Sequence, residues 1–359
     1  MTLTEVNYYA RKFAPVAVIM ILVMVIIFFA FQLLSLYFKQ SQQANPEPAK
    51  PLALNPIFNK IKAPIIPRAK SSTGYTYILD TLDATAKVEN ATSAAQVYFI
   101  PKQNLSFGFL PQIYLMAKSV GIDTENNDHK KVENTATFDD GKNKLEIDIS
   151  NFNFSYDYVL SKTGDFTLDD AKQPSDSTLK SNAESFLRNI NRYPDELSKG
   201  DRHVIYINFD IDSRRVSTLD AAEGANMAEV DFYRPDFNGY PVVTSSYYNS
   251  PHFVLFGFSN GQTKVIRSEV KFYELSDKVG TYPLKTSDEA WADLKAGKGT
   301  VVSANNPVGE VHIKKISLGY YDPDVYQEYF QPVYIFLGDD KFVAYVTAVR
   351  NDLVIPTEL

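Results

Sequence analysis

Side chains able to do acid–base, thiol or metal chemistry are few in this sequence, and they are scattered. Cysteine is absent, so a disulfide, a thiolate nucleophile and a zinc-thiolate site are all excluded. The four histidines share no spacing typical of metal ligands, and no metal or cofactor is expected. They are His129, His203, His252 and His312.

Asp210 and Asp212 come closest to a catalytic pattern. Residues two apart in a strand point to the same side, so these carboxylates could pair as general acid and general base. Two solvent-facing aspartates on an amphipathic strand give the same pattern, and no nucleophile accompanies them. We therefore expect the protein not to be an enzyme, and an envelope hydrolase is the weakest of the functions considered.

Two acidic turns invite comparison with calcium-binding loops. They are Asp139-Asp140-Gly141 and Gly338-Asp339-Asp340. Neither supplies the regularly spaced oxygen ligands that a calcium loop requires, so both are predicted to be hairpin turns.

Aromatic residues are concentrated in one segment near the C-terminus. Tyrosine and tryptophan are common anchors of protein–protein interfaces, so this segment is a candidate contact site for a partner. The alternative is that these rings close the core beneath a loop. The residues are Tyr320, Tyr321, Tyr326, Tyr329 and Phe330.

The element expected to position everything else is an apolar stretch over residues 14–38. It contains no charge and has only Gln32 and Ser35 as polar side chains. As a helix it would be roughly 37 Å long, enough to cross a ~30 Å hydrocarbon core. It is too long for a signal peptide and lacks a good cleavage site. The sequence thus predicts an uncleaved single-pass anchor in the cell membrane.

The short tail over residues 1–13 is expected to lie in the cytoplasm and the rest of the chain outside it. Small residues let membrane helices pack closely, so specific contacts of the span with a partner are expected at three alanines. These are Ala14, Ala17 and Ala30.

The charge pattern argues against a nucleic-acid partner. The net charge is −7, and the acidic excess lies after residue 70. Residues 39–70 hold six of the nineteen prolines together with several lysines and arginines, which predicts an extended linker. The alternative, raised by the apolar residues within it, is that part of the linker docks on the domain or on another subunit.

From residue 71 onward, strands dominate and three helices punctuate them. The helices are expected to begin near Pro111, Leu179 and Ser287, with Ser287 as the N-cap of the third. The alternation of apolar and polar side chains along the strands changes phase at Ser150-Asn151 and at Lys314-Lys315, where a bulge or bend is predicted. A helix followed by an antiparallel hairpin recurs, which predicts an α+β fold of three units over 71–165, 166–275 and 276–359.

The last third of the chain resembles a known family. The stretch from Ser287 to Leu294, Gly319-Tyr320-Tyr321 and the strand from Gln331 to Phe336 look like a PepSY-type unit. More fully, residues from about 179 to 349 resemble the YycI/YycH-type two-component system regulatory proteins, with Asn238 to Val242 as a further matching segment.

The resemblance implies a non-enzymatic accessory protein with one membrane helix and extracytoplasmic PepSY-like units. Such a protein modulates a membrane sensor histidine kinase by protein–protein contact, and no catalytic residue carries over. An alternative is a structural subunit of an envelope assembly, such as a secretion or pilus machine.

Overall fold

The structure is a computed structural model that describes residues 20, 22–32, 34, 52–69, 74–88, 92–105, 108–161, 164–170, 172–306 and 308–356. The chain divides into two units, Met1–Pro51 and Leu52–Leu359.

In the first unit, the described residues 20, 22–32 and 34 are helical and their side chains are exposed. None of the helices in the described part of the chain is long and apolar enough to cross a membrane. The predicted single-pass anchor over 14–38, and the cell-membrane location and topology inferred from it, are corrected by this finding. Ala30 lies in the helical run, whereas the tail, Ala14 and Ala17 lie outside the described residues.

The second unit is built mainly of strands. They are β1 (Ile61–Lys62), β2 (Tyr75–Leu79), β3 (Ala94–Phe99), β4 (Lys130–Val132), β5 (Thr135–Asp139), β6 (Asn143–Asp148), β7 (Phe154–Tyr158), β8 (Arg202–Asp210), β9 (Arg215–Leu219), β10 (Met227–Phe232), β11 (Val242–Val243), β12 (His252–Ser259), β13 (Gln262–Val270), β14 (Val279–Pro283), β15 (Thr300–Ser303), β16 (Gly309–Tyr321), β17 (Tyr329–Phe330), β18 (Pro332–Gly338), β19 (Val343–Thr347) and β20 (Val354–Ile355). The helices are α1 (Phe109–Ser119), α2 (Asp176–Asn189), α3 (Asp195–Lys199) and α4 (Ser287–Lys295).

One large antiparallel sheet has nine strands in the order β4-β5-β6-β7-β13-β12-β10-β8-β9. One face of this sheet is apolar because successive side chains of a strand point to opposite faces. In β6, for example, Leu145 and Ile147 are buried on that face, whereas the residues beside them are less buried. Helices α1 and α2 pack on that face through Ile113, Leu179 and Leu187. Ser175 caps α2 by accepting the Thr178 N–H.

A second sheet is organised around β16, the longest strand. One edge of β16 pairs antiparallel with β18, followed by β19 and β15. Its other edge pairs in parallel with β2 at one end and with β11 at the other. Helix α4 covers this sheet with the buried residues Ala290 and Leu294. Smaller sheets complete the unit, in the orders β14-β3-β17 and β1-β20.

The predicted fold class is wrong. Strand makes up 37% of the described residues and helix 18%, and the sheets do not follow successive helix-plus-hairpin units. Strand β7 pairs with β13, about a hundred residues later, and β2 pairs with β16. The two outer strands of an antiparallel hairpin have unpaired backbone groups along one edge. Here those edges pair with strands from distant parts of the chain, so that hairpins of different predicted units belong to the same sheet. A mostly β architecture replaces the predicted α+β repeat.

Candidate partner-binding site

The predicted contact aromatics fall into two groups. Tyr320, Tyr321 and Phe330 are buried in the interior. The rings of Tyr320 and Phe330 stack with centroids 5.1 Å apart, and the Tyr320 hydroxyl donates to the Gln96 carbonyl at 3.0 Å. These three rings therefore lie in the core, the alternative that the sequence left open.

Tyr326 and Tyr329 are only half-buried and keep part of their rings at the surface. The Tyr326 hydroxyl donates to the Ile100 carbonyl at 3.1 Å, which fixes the ring in place. Tyr329 packs against Phe58, with the two ring centroids 5.2 Å apart. Of the five candidates, these two can still contact a partner.

Residues 52–69, called the strap below, hold Phe58 in that position. This segment is the second half of the predicted linker, and it is docked on the β sheets. Ile61 and Ile66 are buried, and β1 within the strap pairs in parallel with β20. Further on, the Ala69 N–H donates to the Val301 carbonyl at 2.9 Å.

Two glutamine side chains also hold the strap in place. The Gln327 amide accepts the Ile65 N–H at 3.0 Å and donates to the Ile65 carbonyl at 2.8 Å. The Gln331 amide donates to the Lys62 carbonyl at 3.0 Å. The Gln327 amide thus forms hydrogen bonds with both the N–H and the carbonyl of one backbone residue, as a neighbouring β-strand would. These bonds satisfy polar backbone groups that are partly shielded from water.

A cleft of about 200 Å³ opens between the strap and the segment that carries the two tyrosines. Ile65 at its rim is 38% exposed. A surface ion pair crosses it, with Lys62 Nζ 3.1 Å from a Glu328 carboxylate oxygen. We call this the strap cleft; its lining is Lys62, Ala63, Ile65, Tyr326, Gln327, Glu328, Tyr329 and Gln331.

A wider cleft of about 420 Å³ is lined in part by the strap residues Pro64, Ile66 and Arg68. The buried ion pair Lys285–Asp293, with an N–O distance of 3.0 Å, forms part of its wall. Burial lowers the pKa of Lys285, opposed by the Asp293 carboxylate. Asp293 also accepts from Lys298 and Asn351, so the carboxylate is fully used in holding the end of α4.

A buried charged network joins the two large sheets, and sequence reasoning missed it. Arg234 Nε donates to Asp322 at 2.9 Å, and its guanidinium lies 3.8 Å from the centre of the Phe272 ring. His252 accepts the Lys271 N–H on Nδ1, so Nε2 carries the proton and donates to Asp322 at 3.2 Å. Burial alone would raise the pKa of Asp322, but Arg234 and His252 lower it.

The same network leaves His252 without a route to solvent. Its side chain is fully buried, and burial lowers its pKa despite the neighbouring carboxylate. The Glu196 carboxylate forms a second ion pair with the Arg234 guanidinium. The arrangement can hold two sheets together, because each charge is paired and hydrogen-bonded.

Two acidic side chains lie close together on β10, one of them, Asp231, buried and the other, Glu229, half-buried. Glu229 and Asp231 are two residues apart in the strand and therefore face the same side of the sheet. Asp231 also accepts the Tyr233 hydroxyl at 3.2 Å and the Ser250 N–H at 3.1 Å. Burial, reinforced by Glu229, raises the pKa of Asp231 to about 8. Burial therefore favours the protonated form of the Asp231 carboxyl near neutral pH.

The remaining chemistry-bearing residues have local partners. Asp210 accepts the backbone N–H groups of Asp212 and Ser213 and so caps the turn that follows β8. His129 contacts Asp128, and His312 contacts Asp80 and Glu310. In the described ranges, no group of three or more His, Asp or Glu side chains is arranged to hold a metal.

Comparison with known proteins gives no functional lead. No protein-family model matches the chain, and no curated protein matches it. Among solved structures, an uncharacterized protein from Eubacterium rectale ATCC 33656 is 10% identical, with 71% of this chain and 82% of that chain covered. The TM-score of 0.32 is too low to support an inference from that structure.

Proposed function

We propose that the protein acts by binding another protein through the strap cleft. The partner class is the one that the resemblance to YycI/YycH-type regulators implies, a sensor histidine kinase whose activity the contact modulates. The observation that carries the proposal is that Tyr326 and Tyr329 remain accessible beside exposed Ile65 in a preformed cleft.

The composition of this surface supports a protein ligand. Aromatic anchors surrounded by apolar residues and a polar rim are typical of interface hot spots. Val325 and Ile57, which precede Tyr326 and Phe58 in the chain, are also apolar and both 47% exposed. The Lys62–Glu328 pair supplies charge at the edge.

The fixed position of the surface supports binding as well. Gln327 and Gln331 hold the strap, and the Tyr326 hydroxyl is tied to Ile100. A surface ordered before association loses less conformational entropy when the partner binds.

Photo-crosslinking tests the proposal. A benzoylphenylalanine placed at Tyr329 should cross-link the partner in cells, whereas the same group at exposed Val132 on β4 should not. The recovered partner should be a kinase, identified by mass spectrometry. Its autophosphorylation should then respond to the purified wild-type chain.

The matching loss-of-function variant is Tyr326→Ser with Tyr329→Ser. It should reduce the effect on the kinase by about tenfold or more, the size expected for losing interface anchors. Val132→Ser is the control for an exposed side chain outside the cleft. Equal cross-linking at residues 329 and 132, or an unchanged response to the double variant with its circular dichroism intact, would rule out the strap cleft as the binding surface.

A further inference from the structure

The two edges of the nine-stranded sheet differ in how well they are protected. Edge strand β4 has only three residues, and two are lysines, which is a common defence against unwanted strand pairing. Edge strand β9 has five residues with no lysine or proline. Arg215 to Thr218 are all exposed, and Val216 is 60% exposed. Strand β9 thus presents an open pairing edge.

This open edge belongs to a projecting arm. Strand β8 pairs with β10 only as far as Ile207, whereas its pairing with β9 runs from Tyr206 to Asp210. The tip of the hairpin therefore extends past the end of β10. A strand in this position can be reached by another chain without steric obstruction from β10.

Side chains hold the arm in a fixed position. The Asn226 amide accepts the Phe209 N–H and donates to the Phe209 carbonyl, both at 2.9 Å. Asn208 donates to the Gly224 carbonyl at 2.7 Å, and Asp210 caps the turn at the tip. An edge ordered in advance loses little entropy on pairing.

The sequence of β9 is complementary to itself when a second copy runs antiparallel about Ser217. Arg215 then lies opposite Leu219 of the other copy, and Val216 lies opposite Thr218. Immediately outside the strand, Arg214 comes opposite Asp220, so opposite charges meet at both ends of the ladder. A parallel or shifted arrangement loses this match.

We propose that β9 is a homotypic docking edge, which pairs with β9 of a second copy around a two-fold axis at Ser217. The nine-stranded sheets of the two copies then form one continuous sheet. A five-residue ladder buries less than the roughly 1,200 Å² of a standard interface, so the association is weak on its own. This edge is distinct from the strap cleft, and the two proposals fail independently.

The absence of cysteine makes a direct test possible, because Ser217→Cys introduces the only thiol. Directly opposed residues of antiparallel strands have Cα atoms about 4.5–5.5 Å apart, within disulfide range. The full-length variant treated with diamide should form a covalent dimer. Leu219→Cys is the register control, since residues 219 of the two copies would be about 13 Å apart along the strand. A mixture of Leu219→Cys and Arg215→Cys chains should cross-link.

Substitutions in the Ser217→Cys background test the contacts. Val216→Lys places a charge on the edge twice per dimer and should reduce dimer yield about tenfold. Val132→Lys, at a 71% exposed valine on the other edge, should leave the yield unchanged. Arg214→Asp should reduce the yield, and adding Asp220→Arg should restore it. Aspartate suits the positive φ of 54° at this position.

The outcomes decide the proposal. No dimer with Ser217→Cys, or a dimer whose yield is indifferent to Val216→Lys, overturns it. Equal cross-linking by Ser217→Cys and Leu219→Cys shows random collision and overturns it as well. Circular dichroism of each variant confirms that the fold is retained.

Discussion

Asp322 accepts a hydrogen bond from Arg234 across 2.9 Å, although neither side chain reaches solvent. Arg234 follows β10 of the nine-stranded sheet, whereas Asp322 follows β16 of the sheet that lies beneath α4. The ion pair is therefore a connection between the two halves of the unit. Its burial makes each partner depend on the other, since an isolated charge in the interior is strongly unfavourable.

Removing one partner of this pair should destabilise the protein severely. Asp322→Asn leaves the Arg234 guanidinium without its buried counter-charge and should lower the free energy of unfolding by about 3–5 kcal/mol. Urea denaturation followed by circular dichroism measures the change. The control is Lys62→Met, which breaks an exposed ion pair and should cost under about 1 kcal/mol. Similar losses for both variants would contradict the structural role of the buried pair.

The Glu229–Asp231 pair predicts an unusual dependence of stability on pH. An unfolded aspartate has a pKa near 3.9, whereas that of Asp231 in the folded protein is raised to about 8. Between these values the folded state holds a proton that the unfolded state releases. This contribution to stability is therefore full below about pH 4 and is lost as pH rises through about 8.

Asp231→Asn should remove this dependence, because an amide resembles the protonated carboxyl and its oxygen can still accept from Tyr233 and Ser250. The midpoint of urea unfolding, measured from about pH 5 to pH 9, should fall less steeply with pH in the variant than in the wild type. Groups other than Glu229, which lies next to Asp231 and responds to its replacement, titrate alike in both proteins and cancel in the difference. Parallel curves would show that Asp231 does not carry the extra proton.

The start of α4 gives a prediction of modest size. Thr286 accepts the Glu289 N–H at 3.2 Å, and Glu289 in turn accepts the Thr286 N–H at 2.7 Å, which together form a capping box. Thr286→Ala should therefore cost about 1 kcal/mol in urea unfolding. Ser287→Ala should be nearly neutral, since Ser287 already belongs to the helix. The reverse ranking would support the cap expected from the sequence.

Local features could be predicted from the sequence because their causes are local. The Asp139-Asp140-Gly141 turn joins β5 to β6, and Gly338 to Asp340 join β18 to β19. The register shift between Ile313 and Lys315 is the predicted bulge. At Ser150-Asn151, however, the change of phase is a hairpin turn between β6 and β7 rather than a bulge. Alternation alone does not distinguish the two.

Features that depend on distant pairing could not be predicted in this way. Arg234, His252 and Asp322 are brought together from positions 18 to 88 residues apart. Tyr320 and Tyr321 belong to a strand covered on both faces at its end, so no alternation marked them as interior. Docking of the strap was raised only as an alternative to an extended linker, and its partners could not be named because they lie more than two hundred residues away in the sequence.

The clamp on the strap predicts its susceptibility to protease. Gln327→Ala removes two hydrogen bonds to Ile65, each worth about 0.5–1.5 kcal/mol, and should make the strap open about tenfold more often. Trypsin cleavage after Lys62 and Arg68, which are both exposed, should accelerate by the same factor. Gln327→Glu should have a smaller effect, because a carboxylate still accepts the Ile65 N–H. Gln262→Ala, at an exposed strand end, should leave the cleavage rate unchanged, and a Gln327→Ala variant that is no faster than Gln262→Ala would show that the strap is held elsewhere.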